Sequence, residues 1–444
     1  MPTDQSTAIE SPRGTTREVK KVILSSYLGS VLEYYDFLLY GTASALVFGP
    51  VFFSGMSSTA GILASFATFA AGYLARPLGG LIFGSLGDRV GRKSMLVLSL
   101  AVMGTVSVFI GLIPSAAAIG SWAPVMLVTL RVIQGIAIGG EWGGAVLMSL
   151  EHAGDKRRGL VTAFTYAGAP TGGLLGTLAM ALASRLPEDQ FLDWGWRIPF
   201  LASGVLLLIG LWVRRSINES PVFLQALEQA RQTGTSQRAT EPLADAFRQW
   251  PALASAATSG IAGFALQTVF ATFAVTYAIS SGSDRSTILI AASIAQCTSI
   301  ATGLLFAALS DRVGRRPVMI GGVVGGALWI YPFFILLERG EFLPSALAFV
   351  ILSLCTTAMH GPMPAFITEQ FGTLSRYTGA SFGYQLATLI GGGLAPLAVA
   401  AIFSYSNNSI IAVAVFVIVL CAISGIALAI SRETKDNDLE TVGT

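Results

Sequence analysis

The chain has 444 residues, of which 53% are hydrophobic and only 12% charged, against roughly 25% charged in a soluble domain. That composition excludes a disordered chain and an enzyme with an ordinary soluble surface, and a net charge of +2 leaves no basic footprint for nucleic acid. The three cysteines, Cys297, Cys355 and Cys421, all fall in apolar runs, so neither a disulfide framework nor a metal cluster is expected.

The predicted elements are membrane-spanning helices. Residues 1–21 form a polar N-terminal tail without the apolar stretch of a signal peptide. Six apolar runs follow, near 22–47, 60–84, 94–114, 123–150, 160–184 and 197–213. A polar linker occupies 214–250, where residues 221–227 start either a surface helix or a solvated connector. Six more runs lie near 252–281, 287–309, 317–337, 343–367, 377–403 and 408–430, and 431–444 is a second tail. Each run exceeds the ~20 helical residues that cross a bilayer core. None alternates as a barrel strand would.

Arginine and lysine set the orientation. With the N-terminus inside, the inner segments hold 21 of these residues and the outer loops four, a strong positive-inside bias. Both termini are therefore expected in the cytoplasm and the span count is even. The pattern repeats: Gly87-Asp88-Arg89-Val90-Gly91-Arg92-Lys93 follows the second span, and Ser310-Asp311-Arg312-Val313-Gly314-Arg315-Arg316 follows the eighth, 223 residues later. The expected fold is all-α, with two parallel six-helix halves (22–213 and 251–430) around a central path.

Several chemistries are excluded by absence. Only His152 and His360 occur, so no HExxH zinc site is possible, and none of the five lysines ends a GxxxxGK phosphate loop. Gly379-Ala380-Ser381-Phe382-Gly383 matches a nucleophile elbow but sits in an apolar span with no strand before it. It reads better as a close helix-packing pair. No enzyme activity, cofactor or metal is expected.

Ionisable groups inside a bilayer are costly and are functional candidates. The first half has five: Glu33, Asp36, Arg76, Arg131 and Glu141. At a rise of ~1.5 Å per residue they come out roughly 16–21 Å into their spans, close to one midplane layer. Glu33 and Asp36 share a helix face, as do Arg131, Gln134 and Glu141. An aspartate paired with arginine stays ionised, and an unpaired one in apolar surroundings takes a proton more easily. Making and breaking an Asp36–Arg131 pair is therefore a way to load and release a proton, with Glu33 and Glu141 as further proton-coupling candidates. The alternative reading is a permanent pair that ties spans one and four together. Arg76, before Pro77, is a candidate ligand for an anion. Glycines at spacing four (72, 80, 84; 135, 139, 143; 168, 172, 176) let helices approach closely. The second half offers neutral polar groups instead: Gln267, Tyr277, Gln296, His360, Tyr384 and Gln385. Gly361-Pro362 after His360 predicts a helix break.

At these residues the chain resembles the major facilitator superfamily, and within it the metabolite:proton symporters that include shikimate, α-ketoglutarate, citrate and proline/betaine carriers. The resemblance rests on residues 84–93 with their echo at 310–316, on Glu33-Tyr34-Tyr35-Asp36-Phe37, Arg76-Pro77-Leu78-Gly79-Gly80, Arg131-Val132-Ile133-Gln134-Gly135, and Gly139-Gly140-Glu141-Trp142-Gly143-Gly144. It rests also on Trp194-Gly195-Trp196-Arg197-Ile198-Pro199-Phe200, Arg376-Tyr377-Thr378-Gly379-Ala380 and Gly383-Tyr384-Gln385. It implies secondary symport with protons by alternating access. The gating motif would be Gly84, Asp88, Arg89, Gly91 and Arg92 with Asp311, Arg312 and Arg315 in the echo, degraded by Ala307 where the first copy has Gly84. Substrate contacts are expected from Arg76, Arg131, Gln134, Tyr34, Trp142, Gln267, Tyr384 and Gln385. The short final tail without heptads, and two midplane arginines suited to carboxylates, point to a small organic acid. The alternatives are a zwitterionic osmolyte on the same fold or a membrane receptor that binds without transport. The chain is expected as a monomer in the inner (cytoplasmic) membrane, with the lipid bilayer, a proton and an organic anion as its partners.

Overall fold

The computed structural model describes residues 16–153, 157–220, 223–225, 228, 242–373 and 375–437. The middle of the polar linker, including most of the expected surface helix, lies outside the described residues. Among the described residues twelve rods of membrane length follow one another: α1 (Thr16–Leu46), α2 (Ser58–Val90), α3 (Arg92–Leu112), α4 (Trp122–His152), α5 (Arg158–Ala183) and α6 (Arg197–Arg215). In the second half come α7 (Trp250–Ser259, Ile261–Thr268, a π-turn at Val269–Phe273, Ala274–Ser280), α8 (Arg285–Val313), α9 (Arg315–Glu338) and α10 (Phe342–His360, resuming at Met363–Thr368). Then α11 runs through Arg376–Ala387, a π-turn at Thr388–Leu394 and Ala395–Tyr405, and α12 is Ile410–Ile430. There is no strand among the described residues. Eight of these helices are long and apolar enough to cross a membrane by length and composition alone. α1 starts ahead of its apolar run, because its first turn carries Glu18, which suits the positive end of a helix. The predicted break at Gly361-Pro362 is present between the two parts of α10.

Leucine, isoleucine and tryptophan side chains such as Leu74, Leu178, Leu208, Trp212, Leu305 and Leu328 stand exposed on the outer faces, which is what a hydrocarbon solvent permits and water does not. Inside, the α5 glycines 168, 172 and 176 lie against the α1 backbone at Tyr27, Val31 and Tyr35, and α2 and α4 approach similarly through Gly79, Gly135 and Gly139. Such backbone-to-backbone approach is the main source of helix attraction where lipid is as apolar as the side chains.

The two halves meet at the end that carries the arginine-rich loops. Asp88, at the end of α2, accepts hydrogen bonds from the backbone N–H of Tyr377 (3.3 Å) and Thr378 (2.9 Å) and from the Thr378 hydroxyl (2.9 Å). It therefore caps the N-terminus of α11 from the other half, where free N–H groups and the helix dipole favour negative charge. Asp311, in the echo, accepts from the N–H of Gly159 (2.8 Å) and Leu160 (2.9 Å) at the N-terminus of α5. Behind each aspartate is an ion pair, Arg92–Glu151 (2.8 Å) and Arg315–Glu369 (3.1 Å), and Arg376 adds a third at 3.5 Å from Glu151. The loops between paired helices turn on Gly91 (φ +117°) and Gly314 (φ +107°), a conformation that disfavours any side chain. There Glu219 accepts from the Lys93 N–H, and Glu433 from those of Arg315 and Arg316.

The weaker echo has a structural account. A Cβ at position 84 would lie 2.6 Å from the Thr378 Cα, so glycine is required on α2. In the second crossing the small residue is on the partner helix instead: Gly159 of α5 faces the Ala307 carbonyl. Ala307 is tolerated because Gly159 makes the room.

Asp88→Asn should release this closed end. In a background with Cys297, Cys355 and Cys421 replaced by serine, a cysteine at the buried Ser381 should react with an impermeant maleimide from the charged end at least tenfold faster after Asp88→Asn. Equal labelling rates would remove the capping role.

Candidate functional site

The first half builds a polar chain across four helices. Asp36 of α1 is buried, and both carboxylate oxygens are taken by serines: the Ser107 hydroxyl of α3 donates at 2.6 Å and the Ser203 hydroxyl of α6 at 2.7 Å. Ser107 in turn accepts from Gln134 Nε2 (2.7 Å), and Gln134 Oε1 accepts from Arg131 Nη1 (2.6 Å). The Arg131 guanidinium lies over the Tyr40 ring at 4.0 Å and the Phe69 ring at 5.0 Å. The expected direct Asp36–Arg131 pair is therefore absent from this state. Serine hydroxyls and aromatic faces satisfy the two charges separately, and Gln134 with Ser107 links them. Gln134 is a member of that chain rather than an open ligand.

Glu141 departs further from expectation. It is paired with Arg214, in the last turn of α6, through Nη1 at 2.8 Å and through Nη2, and it accepts from Ser99 (2.8 Å). Arg214 also donates to the Leu96 carbonyl. Arg214, the first residue of the expected linker, is buried inside the first half. Leu96 and Ser99 lie one to two turns from Arg92, so Glu141 sits toward the charged end. The five charges do not form one layer.

Arg76 and Glu33 are the groups left facing the centre. The Arg76 guanidinium lies over Tyr73 at 4.5 Å and Phe37 at 5.2 Å, and it makes no ion pair or hydrogen bond with the described residues. Glu33 is buried within electrostatic reach of Arg76 and then of Arg214, also without an ion pair or hydrogen bond among the described residues. Tyr34 borders them, edge-on to Phe37 at 6.2 Å.

Across the path, Trp142 of α4 stacks on Tyr384 of α11 with ring centroids 3.5 Å apart and planes 9° apart. Tyr384 is within electrostatic reach of Tyr34, Glu33 and Arg76, so the predicted residues of the two halves do come together. Gln385 is committed elsewhere: its Nε2 donates to the Gly139 carbonyl (3.2 Å) and its Oε1 accepts from Thr388 (3.1 Å). It ties the halves rather than presenting itself to a ligand. Gln267 is half-buried on α7. Gln296 is exposed, and Tyr277 donates to Glu338 (2.5 Å) near the opposite end, so neither belongs to the centre. Arg89 and Arg312 are exposed at the gate, and the closing contacts run through Asp88, Arg92, Asp311 and Arg315.

Glu151, Glu369, Glu219, Glu433, Ser107, Ser203, Arg214 and Tyr166 were not singled out from the sequence. One signal was available. A second internal offset of 218 residues relates Glu151 to Glu369 and Arg158 to Arg376, a glutamate and an arginine seven apart in each half. The same offset relates Gly159 and Leu160 to Tyr377 and Thr378, whose N–H groups the two aspartates hold.

Comparison with known proteins agrees with this architecture. Residues 22–444 match the family described as Sugar (and other) transporter. The shikimate transporter of Escherichia coli (strain K12) is 39% identical over 420 residues, covering 94% of this chain and 95% of that protein. The proline/betaine transporter of Salmonella typhimurium is 32% identical over 436 residues, covering 95% of this chain and 85% of that protein. The solved structure of the proton:xylose symporter XylE bound to 6-bromo-6-deoxy-D-glucose superposes with a TM-score of 0.77 at 17% identity, covering 97% and 99% of the two chains, a likeness of fold. The chain belongs to the Sugar (and other) transporter family of the major facilitator superfamily, and it is a secondary transporter of the membrane rather than an enzyme.

Proposed function

We propose that this transporter is a proton symporter that imports a small organic anion across the cytoplasmic membrane, with both termini and the arginine-rich end in the cytoplasm. The observation that carries the reading is Arg76: a guanidinium held between two aromatic rings at the centre, with no protein carboxylate paired to it. A buried cation with no carboxylate in direct contact is costly, and a substrate carboxylate supplies that contact with matching fork geometry. The 39% identity to a shikimate transporter supports an organic acid over the zwitterion of the more distant proline/betaine relative.

Asp36 is the proton carrier in this reading. Its two serine donors and the Ser107–Gln134 link to Arg131 make its protonation state felt at the arginine. When Asp36 takes a proton, one serine must turn from donor to acceptor, and the chain of donors that holds Arg131 loosens. Rocking of the halves about the central residues then exposes the site to one side at a time. The closed contacts of Asp88 and Asp311 correspond to the state sealed from the cytoplasm.

Asp36→Asn should abolish accumulation against a gradient while sparing exchange of substrate across proteoliposomes. Undiminished accumulation would remove the proton role. Arg76→Ala should abolish the concentration-dependent rise in melting temperature that shikimate gives the purified protein; an unchanged rise would assign the anion elsewhere. Glu141→Gln should act on stability instead, because it leaves Arg214 buried and unpaired at a cost of about 3–5 kcal/mol. A lower melting temperature, partly restored in the Glu141→Gln/Arg214→Gln double variant, is the expected result. Full stability with lost coupling would return Glu141 to the proton path.

A further inference from the structure

The 218-residue offset also relates Trp142 to His360 and Tyr166 to Tyr384. Each pair crosses between the halves. Trp142 of the first half stacks on Tyr384 of the second, and His360 of the second half is stacked by Tyr166 of the first, centroids 5.4 Å apart and planes 18° apart. The two stacks are mates under the internal repeat, and Phe264 joins them, edge-on to His360 at 5.1 Å and to Tyr384 at 5.3 Å. The substitution between mates is chemical: an indole, which only donates, on one side, and an imidazole on the other.

The hydrogen bonding of His360 fixes what it offers. Nδ1 lies 2.9 Å from the Thr356 carbonyl, which can only accept, so Nδ1 carries the proton and Nε2 of the neutral ring is an acceptor. His360 is 4% exposed, and Nε2 is buried without a partner. The neighbouring helix carries Gly263 beside it, where a Cβ would lie 3.4 Å from Nε2, so no side chain there answers the lone pair. An unmet buried acceptor is costly, and here it adjoins the aromatic cluster that reaches Tyr384 and, through it, Glu33 and Arg76.

We infer that His360 is a specificity residue: its Nε2 accepts a hydrogen bond from a hydroxyl group of the transported carboxylate, so the preferred substrate is a hydroxylated organic acid. The inference rests on the anion reading above and deepens it. Arg76 holds the carboxylate from the first half and His360 the hydroxyl end from the second, so one substrate bridges both. Tyr166, which covers His360 in the closed state, belongs to the first half and moves with it when the halves rock. A fully methylated betaine has no donor for this nitrogen.

The test measures ligand-induced shifts in melting temperature of the purified full chain with shikimate, its hydroxyl-free counterpart cyclohex-1-ene-1-carboxylate, and glycine betaine. The parent should bind shikimate at least about tenfold more tightly than the hydroxyl-free acid, the scale of one well-placed hydrogen bond. His360→Phe, which keeps the stacked ring, should weaken shikimate about tenfold, leave the hydroxyl-free acid unchanged and so erase the preference. His360→Gln, which restores an acceptor, should recover part of it, and His360→Leu serves if the phenylalanine variant does not fold. An unchanged preference in His360→Phe, with carboxylates still bound, overturns this inference alone. Binding of betaine but of neither acid by the parent overturns the anion reading and this inference with it.

Discussion

A charge buried in a bilayer must find a partner, and the whole arrangement follows from how each one does so. At the arginine-rich end the partners are helix termini and opposite charges: Asp88 on the N-terminus of α11, Asp311 on that of α5, with Arg92–Glu151 and Arg315–Glu369 behind them. The two ion pairs each lie within one half, whereas the two aspartate contacts exist only while the halves are together. Separating them exposes two carboxylates and two sets of N–H groups, which is tolerable only where water can enter. The same contacts therefore seal one end and let it open to an aqueous phase without unfolding.

The internal repeat explains why the seal is doubled. Each half supplies an aspartate to the other half's helix terminus, so neither half closes alone. The crossing distance is set by small residues, Gly84 on one side and Gly159 on the other. The position of the glycine exchanges between α2 and its partner helix, which is why the motif reads as degraded in the linear sequence although the packing is equivalent. The carboxylates of Glu219 and Glu433 behind the Gly91 and Gly314 turns complete the symmetry.

The fold was legible because its signals are periodic and local. Long apolar runs, the positive-inside bias and the repeated Asp-Arg-Val-Gly-Arg segment need no tertiary knowledge. Arg76, Tyr34, Trp142 and Tyr384, which the structure brings together, stand out in the sequence because a polar or aromatic group at mid-span has few reasons to be there. What was not legible was partnership. Glu141 and Asp36 look alike as buried acids, but one meets Arg214 from a distant helix and the other meets two serines. Ser107 and Ser203 carry no signal, since serines in membrane helices commonly bond their own backbone. The linker boundary failed at Arg214 because a charged residue at the end of an apolar run is normally solvated, and here it turns inward.

The difference between Asp36 and Glu141 is also the difference between a switch and a strut. A direct carboxylate–arginine pair in low dielectric is held so firmly that protonating the acid means leaving the arginine bare. The Glu141–Arg214 contact has that form and holds α4 to α6. Asp36 and Arg131 are instead separated by a serine and a glutamine, each able to exchange donor and acceptor roles by rotation. Protonating Asp36 then costs a rearrangement of neutral groups rather than the loss of an ion pair, because the Tyr40 and Phe69 faces, not Asp36, lie against the Arg131 guanidinium. The proton-coupled cycle proposed above, which adds and removes a proton at every turnover, calls for the second construction. In that proposal the proton site on α1 lies one helical turn from Glu33 and next in sequence to Phe37, whose ring carries Arg76 and its anion. Coupling between them then requires no long pathway, only that α1 respond to both.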